Sequence, residues 1–170
     1  MLHLPITGFA MTRSKHKSTP PPRPSDPDLA SAIAFCRMRG AQITPLREAV
    51  LTALWSAQRP VGAYELKKQL TASLGRTISA TSIYRTLDFL CDQGVAARIE
   101  SRNAYVACAY HDHDHACVLF VCNDCGASSE IEDARLERLL TADAKALGFT
   151  IDHRVIELAG SCAACRNQID

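Results

Sequence analysis

The chain has 170 residues, of which 47% are hydrophobic and 22% charged, a composition typical of a folded globular protein and not of a wholly disordered one. Its length allows one large domain or two small ones. No apolar run approaches the roughly 20 residues that a membrane span requires. The opening segment, 1–11, has no cation before its apolar part, the reverse of a secretory signal. We therefore expect a cytoplasmic protein without a membrane partner.

Charge is divided unevenly along the chain. Residues 1–100 carry thirteen Lys and Arg against seven Asp and Glu, whereas residues 101–170 carry six against eleven. A basic half joined to an acidic half indicates that only the first half meets a polyanion. Chance asymmetry between two ordinary domains would give the same numbers, so charge alone does not decide.

Helical patterns dominate the first half. Residues 1–27 are rich in Pro, Ser, Thr and cations, which predicts a flexible tail, and translation could start at Met1 or Met11. Beyond the tail, caps and apolar spacing predict four helices, which start at Asp28, at Thr44-Pro45, at about Ala63 and at Ser79. The first is expected to end near Gly40 and the fourth at Gly94. The third is expected to bury Leu66, Leu70 and Leu74. Two strand-like runs follow, 95–100 and 104–107. This order is expected of a winged helix-turn-helix, and an ordinary small helical domain with a packed hairpin is the alternative.

The second half predicts a small domain of strands and one helix. Strands are expected at 117–122, 128–132 and 149–158, with a helix between the last two that Asp133 caps and Gly148 closes. The boundary between the two halves is expected near residues 100–108.

The fourth predicted helix has the features of a DNA-reading element. If Ile83, Leu87, Leu90 and Cys91 face inward, then the outward residues of its first two turns are Thr81, Ser82, Tyr84 and Arg85. This is the end of a recognition helix that reaches base edges in the major groove. Arg85 can bond a guanine through two hydrogen bonds, and Tyr84 can touch a thymine methyl group or a phosphate.

Arg47 is predicted in the first turn of the second helix, where the helix dipole disfavours a cation. A phosphate partner on DNA would explain this placement. A neighbouring carboxylate such as Glu48 would explain it as well.

Two CxxC pairs predict a structural metal site. The pairs are Cys122 with Cys125 and Cys162 with Cys165. Together they complete a tetrahedral set of four thiolates with no open position, which is structural and not catalytic geometry for zinc. The alternatives are disulfides, which a reducing compartment disfavours, and a redox dithiol, which needs a CxxC pair that opens a helix after a strand.

A second group of metal-binding residues lies between the predicted hairpin and the first CxxC pair. It contains Cys108, His111, His113 and His115, and the three histidines share one face if the segment is extended. Thiolate and imidazole suit zinc better than iron(II), and Glu130 on the neighbouring strand could add a carboxylate. The alternative is a solvated His/Asp loop. Three further cysteines fall on apolar faces and are predicted to be core residues and not ligands: Cys36, Cys91 and Cys117.

Residues 29–166 resemble the ferric uptake regulator family and, within it, the zinc uptake regulator branch. The resemblance is carried by Leu46-Arg47 after Thr44-Pro45, the helix Ser82-Ile-Tyr-Arg-Thr-Leu-Asp-Phe-Leu90, Glu100-Ser101, Tyr105-Val-Ala-Cys108 and the two CxxC pairs.

The resemblance implies an α+β fold, with an N-terminal winged helix-turn-helix followed by a small α/β dimerisation domain. The DNA-binding domain would span 28–100, the wing strand and hinge 101–107, and the dimerisation and metal-binding domain 108–170. It implies a homodimer with two zinc ions per chain, one structural and one regulatory. The zinc-loaded dimer would close onto palindromic double-stranded DNA operators of zinc-uptake genes. It would be a repressor, without catalysis and without a small-molecule substrate.

Carried over position by position, the resemblance makes Cys108, His115 and Glu130 regulatory ligands and Tyr84 and Arg85 the DNA-contacting pair. The branch commonly has a histidine just before the basic residue of the wing. This chain has Ala97 there, so we predict that His113 completes the regulatory site, with His111 as the second choice.

Two other functions remain open at this point. An iron- or peroxide-sensing regulator of the same family would favour nitrogen and oxygen ligands, against which Cys108 argues. A zinc-dependent hydrolase or deaminase would need an open metal site such as HxE…PCxxC, and neither CxxC pair here follows a proline.

Overall fold

The structure is a computed structural model that describes residues 29–57, 59–109, 117–151 and 154–167. The predicted tail, the Asp28 cap and the three histidines of the second metal group lie outside these ranges. The helices are α1 (Leu29–Met38), α2 (Pro45–Ala57), α3 (Ala63–Leu74), α4 (Ala80–Asp92), α5 (Ala134–Ala146) and α6 (Ala163–Arg166). The strands are β1 (Val61–Gly62), β2 (Ala96–Ile99), β3 (Ala104–Ala107), β4 (Cys117–Cys122), β5 (Ser128–Ile131) and β6 (Val155–Gly160). None of the helices in the described ranges has the length and apolarity to cross a membrane.

Helices α1 to α4 pack around one apolar core, as the spacing of their apolar residues predicts. The fully buried side chains include Leu54 on α2, Leu66 on α3 and Leu87 on α4. Leu74 was predicted to be buried and is 42% exposed. That prediction was wrong because Leu74 ends α3, where the chain turns away at Gly75 with φ +61.

The first sheet has the strand order β1-β3-β2, and its β2–β3 pair follows the four helices, which confirms the predicted hairpin. β2 and β3 pair antiparallel from Ala96↔Ala107 to Ile99↔Ala104. A single 3₁₀ turn, Glu100–Arg102, closes the hairpin. β1 was not predicted, because two residues are too short to show a period of two.

The second sheet has the order β5-β4-β6, with β5 antiparallel and β6 parallel to the central β4. Asp133 caps α5 as predicted, since its side chain accepts from the Arg135 N–H. The last strand was predicted from Phe149 but begins at Val155. Its pairing with β4 starts at Cys117↔Val155, where Cys117 is the first residue of β4, so the ladder that defines β6 begins there.

The hairpin β2–β3 packs directly against the second sheet. A buried cluster joins the two, with side chains from the hairpin and from β4: Ala97, Ile99, Val106, Cys117, Leu119 and Val121. At the hairpin turn, Ser101 donates to the Glu157 carboxylate on β6, and Arg102 donates to the Cys122 carbonyl. The two sheets are therefore in direct contact through the same hairpin.

Candidate metal centres and nucleic-acid interface

The four cysteines of the CxxC pairs meet at one end of the second sheet. Cys122 ends β4, Cys125 lies in the following turn, and Cys162 and Cys165 stand at the start of α6 and within it. The Sγ atoms of Cys122 and Cys165 are 3.9 Å apart, those of Cys125 and Cys162 are 3.8 Å apart, and all four lie within 4.8 Å of one another. A tetrahedron with zinc–sulfur bonds of about 2.3 Å has edges of about 3.8 Å. The four sulfurs are thus spaced for one shared ion, and not for disulfides, whose sulfurs would be about 2.05 Å apart.

Backbone N–H groups prepare this cluster for a cation. Gly126, at φ +79, lets the chain turn so that its N–H reaches the Cys122 carbonyl at 3.0 Å. Burial raises the pKa of Cys122, but hydrogen bonds from the backbone of Cys125, Cys162 and Asp124 outweigh it and lower that pKa to about 6. The lowered pKa favours the thiolate form of Cys122, which is the form that binds metal. The pKa of Cys165 is raised, first by its hydrogen bond with Cys162, so a proton stays on that thiol until a cation displaces it.

A second cluster lies at the junction of the two sheets and consists of Cys108, Cys117 and Glu130. The Cys108 thiol, directly after β3, donates to Glu130 Oε1 at 3.0 Å, and the Cys117 thiol donates to the same oxygen at 3.4 Å. The other carboxylate oxygen accepts from the Ala109 N–H at 2.9 Å. The three ligand atoms lie within 4.8 Å of one another, and both cysteines are buried.

Sequence reasoning placed Cys108 and Glu130 together but assigned Cys117 to the core alone. Cys117 is buried as predicted, yet its sulfur also reaches Glu130. The strand register brings the two together: β4 and β5 pair Leu119 with Glu130, and Cys117 lies two residues before Leu119 on the same face. The predicted histidine ligands, His113 and His115, lie outside the described residues.

The predicted reading residues stand on the outer side of α4. Thr81, Tyr84 and Arg85 are exposed, Tyr84 by 42% of its surface. In the part of the chain that the structure describes, no hydrogen bond or ion pair engages the Arg85 guanidinium, which leaves it available to a ligand. Ser82 is more constrained, because its hydroxyl lies 2.8 Å from the hydroxyl of the N-cap, Ser79, and its N–H donates to that hydroxyl.

Arg47 has partners within the protein that the sequence did not suggest. Its Nη1 donates to the Gln42 carbonyl at 2.6 Å, and its guanidinium lies 3.3 Å from the centre of the Phe89 ring. A cation over an aromatic face is attracted by the ring quadrupole. The two predicted explanations, a DNA phosphate and Glu48, are therefore not needed to account for a cation in the first turn of α2. Arg47 joins the start of α2 to α4, the helix that carries Tyr84 and Arg85.

Comparison with known proteins places these features in a family. Residues 38–159 match the model of the ferric uptake regulator family. The zinc uptake regulation protein of Escherichia coli (strain K12) is 36% identical over 138 residues, which cover 81% of this chain and 80% of that protein. A solved zinc uptake regulator complexed with zinc and DNA is similar at TM-score 0.73 and 34% identity, over 83% of this chain and 94% of that one. The crystal structure of holo XcZur is similar at TM-score 0.70 and 34% identity, over 82% and 99% of the two chains. The chain belongs to the ferric uptake regulator family.

Proposed function

We propose that this protein is a zinc-responsive transcriptional repressor that acts in the cytoplasm as a homodimer. When zinc is plentiful, the loaded dimer binds palindromic operators of zinc-uptake genes, and it releases them when zinc is scarce. The observation that carries the proposal is the contact of 3.0 Å between the Cys108 thiol and Glu130. This contact joins Cys108, which directly follows β3 of the first sheet, to Glu130 on β5 of the second sheet. The first half of the chain also carries α4, with its exposed residues Tyr84 and Arg85.

The four-cysteine cluster is the structural zinc site of this proposal. Four thiolates leave no position open for water or substrate, so an ion held by Cys122, Cys125, Cys162 and Cys165 stabilises the fold and does no catalysis. It fastens the end of β4 to the start of α6. Because such a site does not exist in the unfolded chain, zinc binding there contributes directly to folding.

The second cluster is the regulatory site. Cys108 and Glu130 would hold the second zinc, with His115 and His113 as the predicted imidazole ligands. An ion can raise DNA affinity only if it binds the DNA-competent arrangement better than other arrangements. Ligands on both sides of the junction satisfy this condition, since the ion is fully held only when the hairpin and the second sheet are correctly docked.

The reading surface of α4 would supply DNA recognition. Arg85 and Tyr84 would contact base edges in the major groove, and Thr81 and Ser82 the bases or phosphates nearby. Arg47 would hold α2 against α4 and, from the start of α2, contact a DNA phosphate. In a homodimer the two reading helices are related by symmetry, which matches a palindromic operator.

An iron- or peroxide-sensing role is the second candidate, and the donor chemistry of the second cluster disfavours it. Soft thiolates select zinc over iron(II) or manganese(II), which prefer nitrogen and oxygen donors. The hydrolase alternative has no support in the four-cysteine cluster, since four thiolates leave no open coordination position.

A metal titration of DNA binding tests the proposal. The operator is first selected from a random double-stranded DNA library with zinc-loaded protein, and its binding is then measured at buffered free zinc, iron(II) and manganese(II). We expect zinc alone to drive binding, and Cys108→Ser to abolish the response while the fold and the four-cysteine zinc persist. Cys36→Ala, which removes a buried thiol of the helical core, is the matched control and should respond like wild type. Operator binding that is equal with and without zinc contradicts the proposal.

A further inference from the structure

We propose that Cys117 is itself a ligand of the second metal ion, so that the regulatory site has two thiolates where sequence reasoning placed one. The inference rests on the proposed zinc-sensing function and names a ligand of that same site. Its starting point is that Cys108 and Cys117 both donate to one carboxylate oxygen, Glu130 Oε1, at 3.0 and 3.4 Å.

The spacing of the three groups fits a common ion. Zinc binds sulfur at about 2.3 Å and carboxylate oxygen at about 2.0–2.2 Å, so a sulfur and an oxygen on one tetrahedral ion lie about 3.5 Å apart. The two sulfur–oxygen distances here are close to that value, and no pair of ligand atoms is separated by more than 4.8 Å. Both thiol protons now lie on hydrogen bonds to Glu130. If a cation displaced those protons, two thiolates and one carboxylate would already lie within bonding reach of it.

The position of Cys117 also explains how a complete site forms without a donor from the wing strand. Ala97 on β2 packs in the same buried cluster as Cys117, but its methyl group offers no lone pair. Cys117 begins β4 and is 6% exposed, so its sulfur is fixed by the sheet. Together with Cys108 it brackets residues 109–116, which contain three histidines. With His115, the histidine that the resemblance carries over as a ligand, the set would number four, so Cys117 would take the place predicted for His113.

A second thiolate ligand changes which metal ion the site prefers. A set with two sulfurs, one carboxylate oxygen and one nitrogen is softer than a set with one sulfur, which shifts preference further toward zinc and away from iron(II) and manganese(II). It also ties the ion to β4, the central strand of the second sheet, and not only to the edge strand β5. The alternative is that Cys117 only fills the core and its contact with Glu130 is incidental.

Cobalt(II) substitution separates these two possibilities, because thiolate-to-cobalt charge transfer reports the number of sulfur ligands. Full-length protein with one zinc retained per chain is titrated with cobalt(II), and native mass spectrometry confirms one cobalt per chain. We expect the charge-transfer band per bound cobalt to fall by about half in Cys117→Ala and in Cys108→Ala, and to vanish in the double variant. Cys36→Ala should leave the band unchanged. We also expect Cys117→Ala to weaken zinc binding at this site by more than about 10-fold, since even outer-shell partners of a metal contribute that much.

A measurement on the wild-type protein keeps the test valid if a variant misfolds. X-ray absorption at the cobalt edge should show two sulfur neighbours at about 2.3 Å. One sulfur neighbour, or a Cys117→Ala spectrum equal to wild type, overturns the inference while the zinc-sensing proposal stands. If wild-type protein binds operator identically with and without zinc, the proposed function itself fails.

Discussion

Replacement of Arg85 by alanine should sharply weaken operator binding without destabilising the fold. The guanidinium is exposed on α4 and, among the described residues, takes part in no hydrogen bond or ion pair. Its loss therefore removes no hydrogen bond or ion pair among the described residues. We expect the free energy of unfolding to stay within about 0.5 kcal/mol of wild type, the range usual for such surface changes.

The cost in DNA binding follows from the number of reading helices. One arginine that bonds a guanine through two hydrogen bonds contributes about 1–3 kcal/mol of discrimination. A homodimer presents two copies of Arg85, so the loss per dimer is about 2–6 kcal/mol. With 1.4 kcal/mol for each factor of ten, the operator Kd should rise between about 30-fold and about 10⁴-fold.

Fluorescence anisotropy with a labelled operator and with a scrambled duplex measures this effect. Arg85→Lys keeps the charge but not the paired geometry, so it should lose most of the discrimination and keep the scrambled-duplex affinity. Lys145→Ala, an exposed charge loss on α5, is the control and should leave discrimination unchanged. If Arg85→Ala binds operator within twofold of wild type, α4 does not read the bases and the interface is misassigned.

Three further outcomes follow from the metal centres and the junction. Cys162→Ser should lose the tightly held zinc and unfold or monomerise the second half, as zinc per chain and size-exclusion chromatography would show; a folded, metal-free dimer contradicts the structural role. Zinc should stay bound at pH 7 and be released as the pH is lowered further, because protons compete with zinc for the thiolates. The pKa of Cys122, lowered to about 6 by backbone N–H donors despite its burial, delays that competition. A zinc-sensitive dye follows this release, and release that begins above pH 7 would argue against a preformed thiolate. Ile99→Ala, fully buried in the junction cluster, should cost about 2–5 kcal/mol in urea unfolding against about 0.5–1.5 for Ile99→Val, and equal costs would mean that the junction is loosely packed.

Much of the fold was predictable because its determinants are local. The Ser79 cap and the apolar repeat after it set the start and the buried face of α4, and Asp133 does the same for α5. The CxxC spacing predicts two thiol pairs without knowledge of the sheet, since two residues between cysteines suffice to form a chelating turn. Each of these features is decided within a few residues along the chain.

The tertiary structure decided what depends on partners far apart in sequence. Arg47 finds the Phe89 ring only because α2 packs on α4. Val155 begins β6 because that is where β4 offers a parallel partner. Cys117 looks like an ordinary core residue in the sequence, since an apolar strand gives no hint of what faces it across a sheet. Its approach to Glu130 follows from the register of β4 with β5, which is set by side-chain packing and hydrogen bonds between strands and not by the chain within either of them.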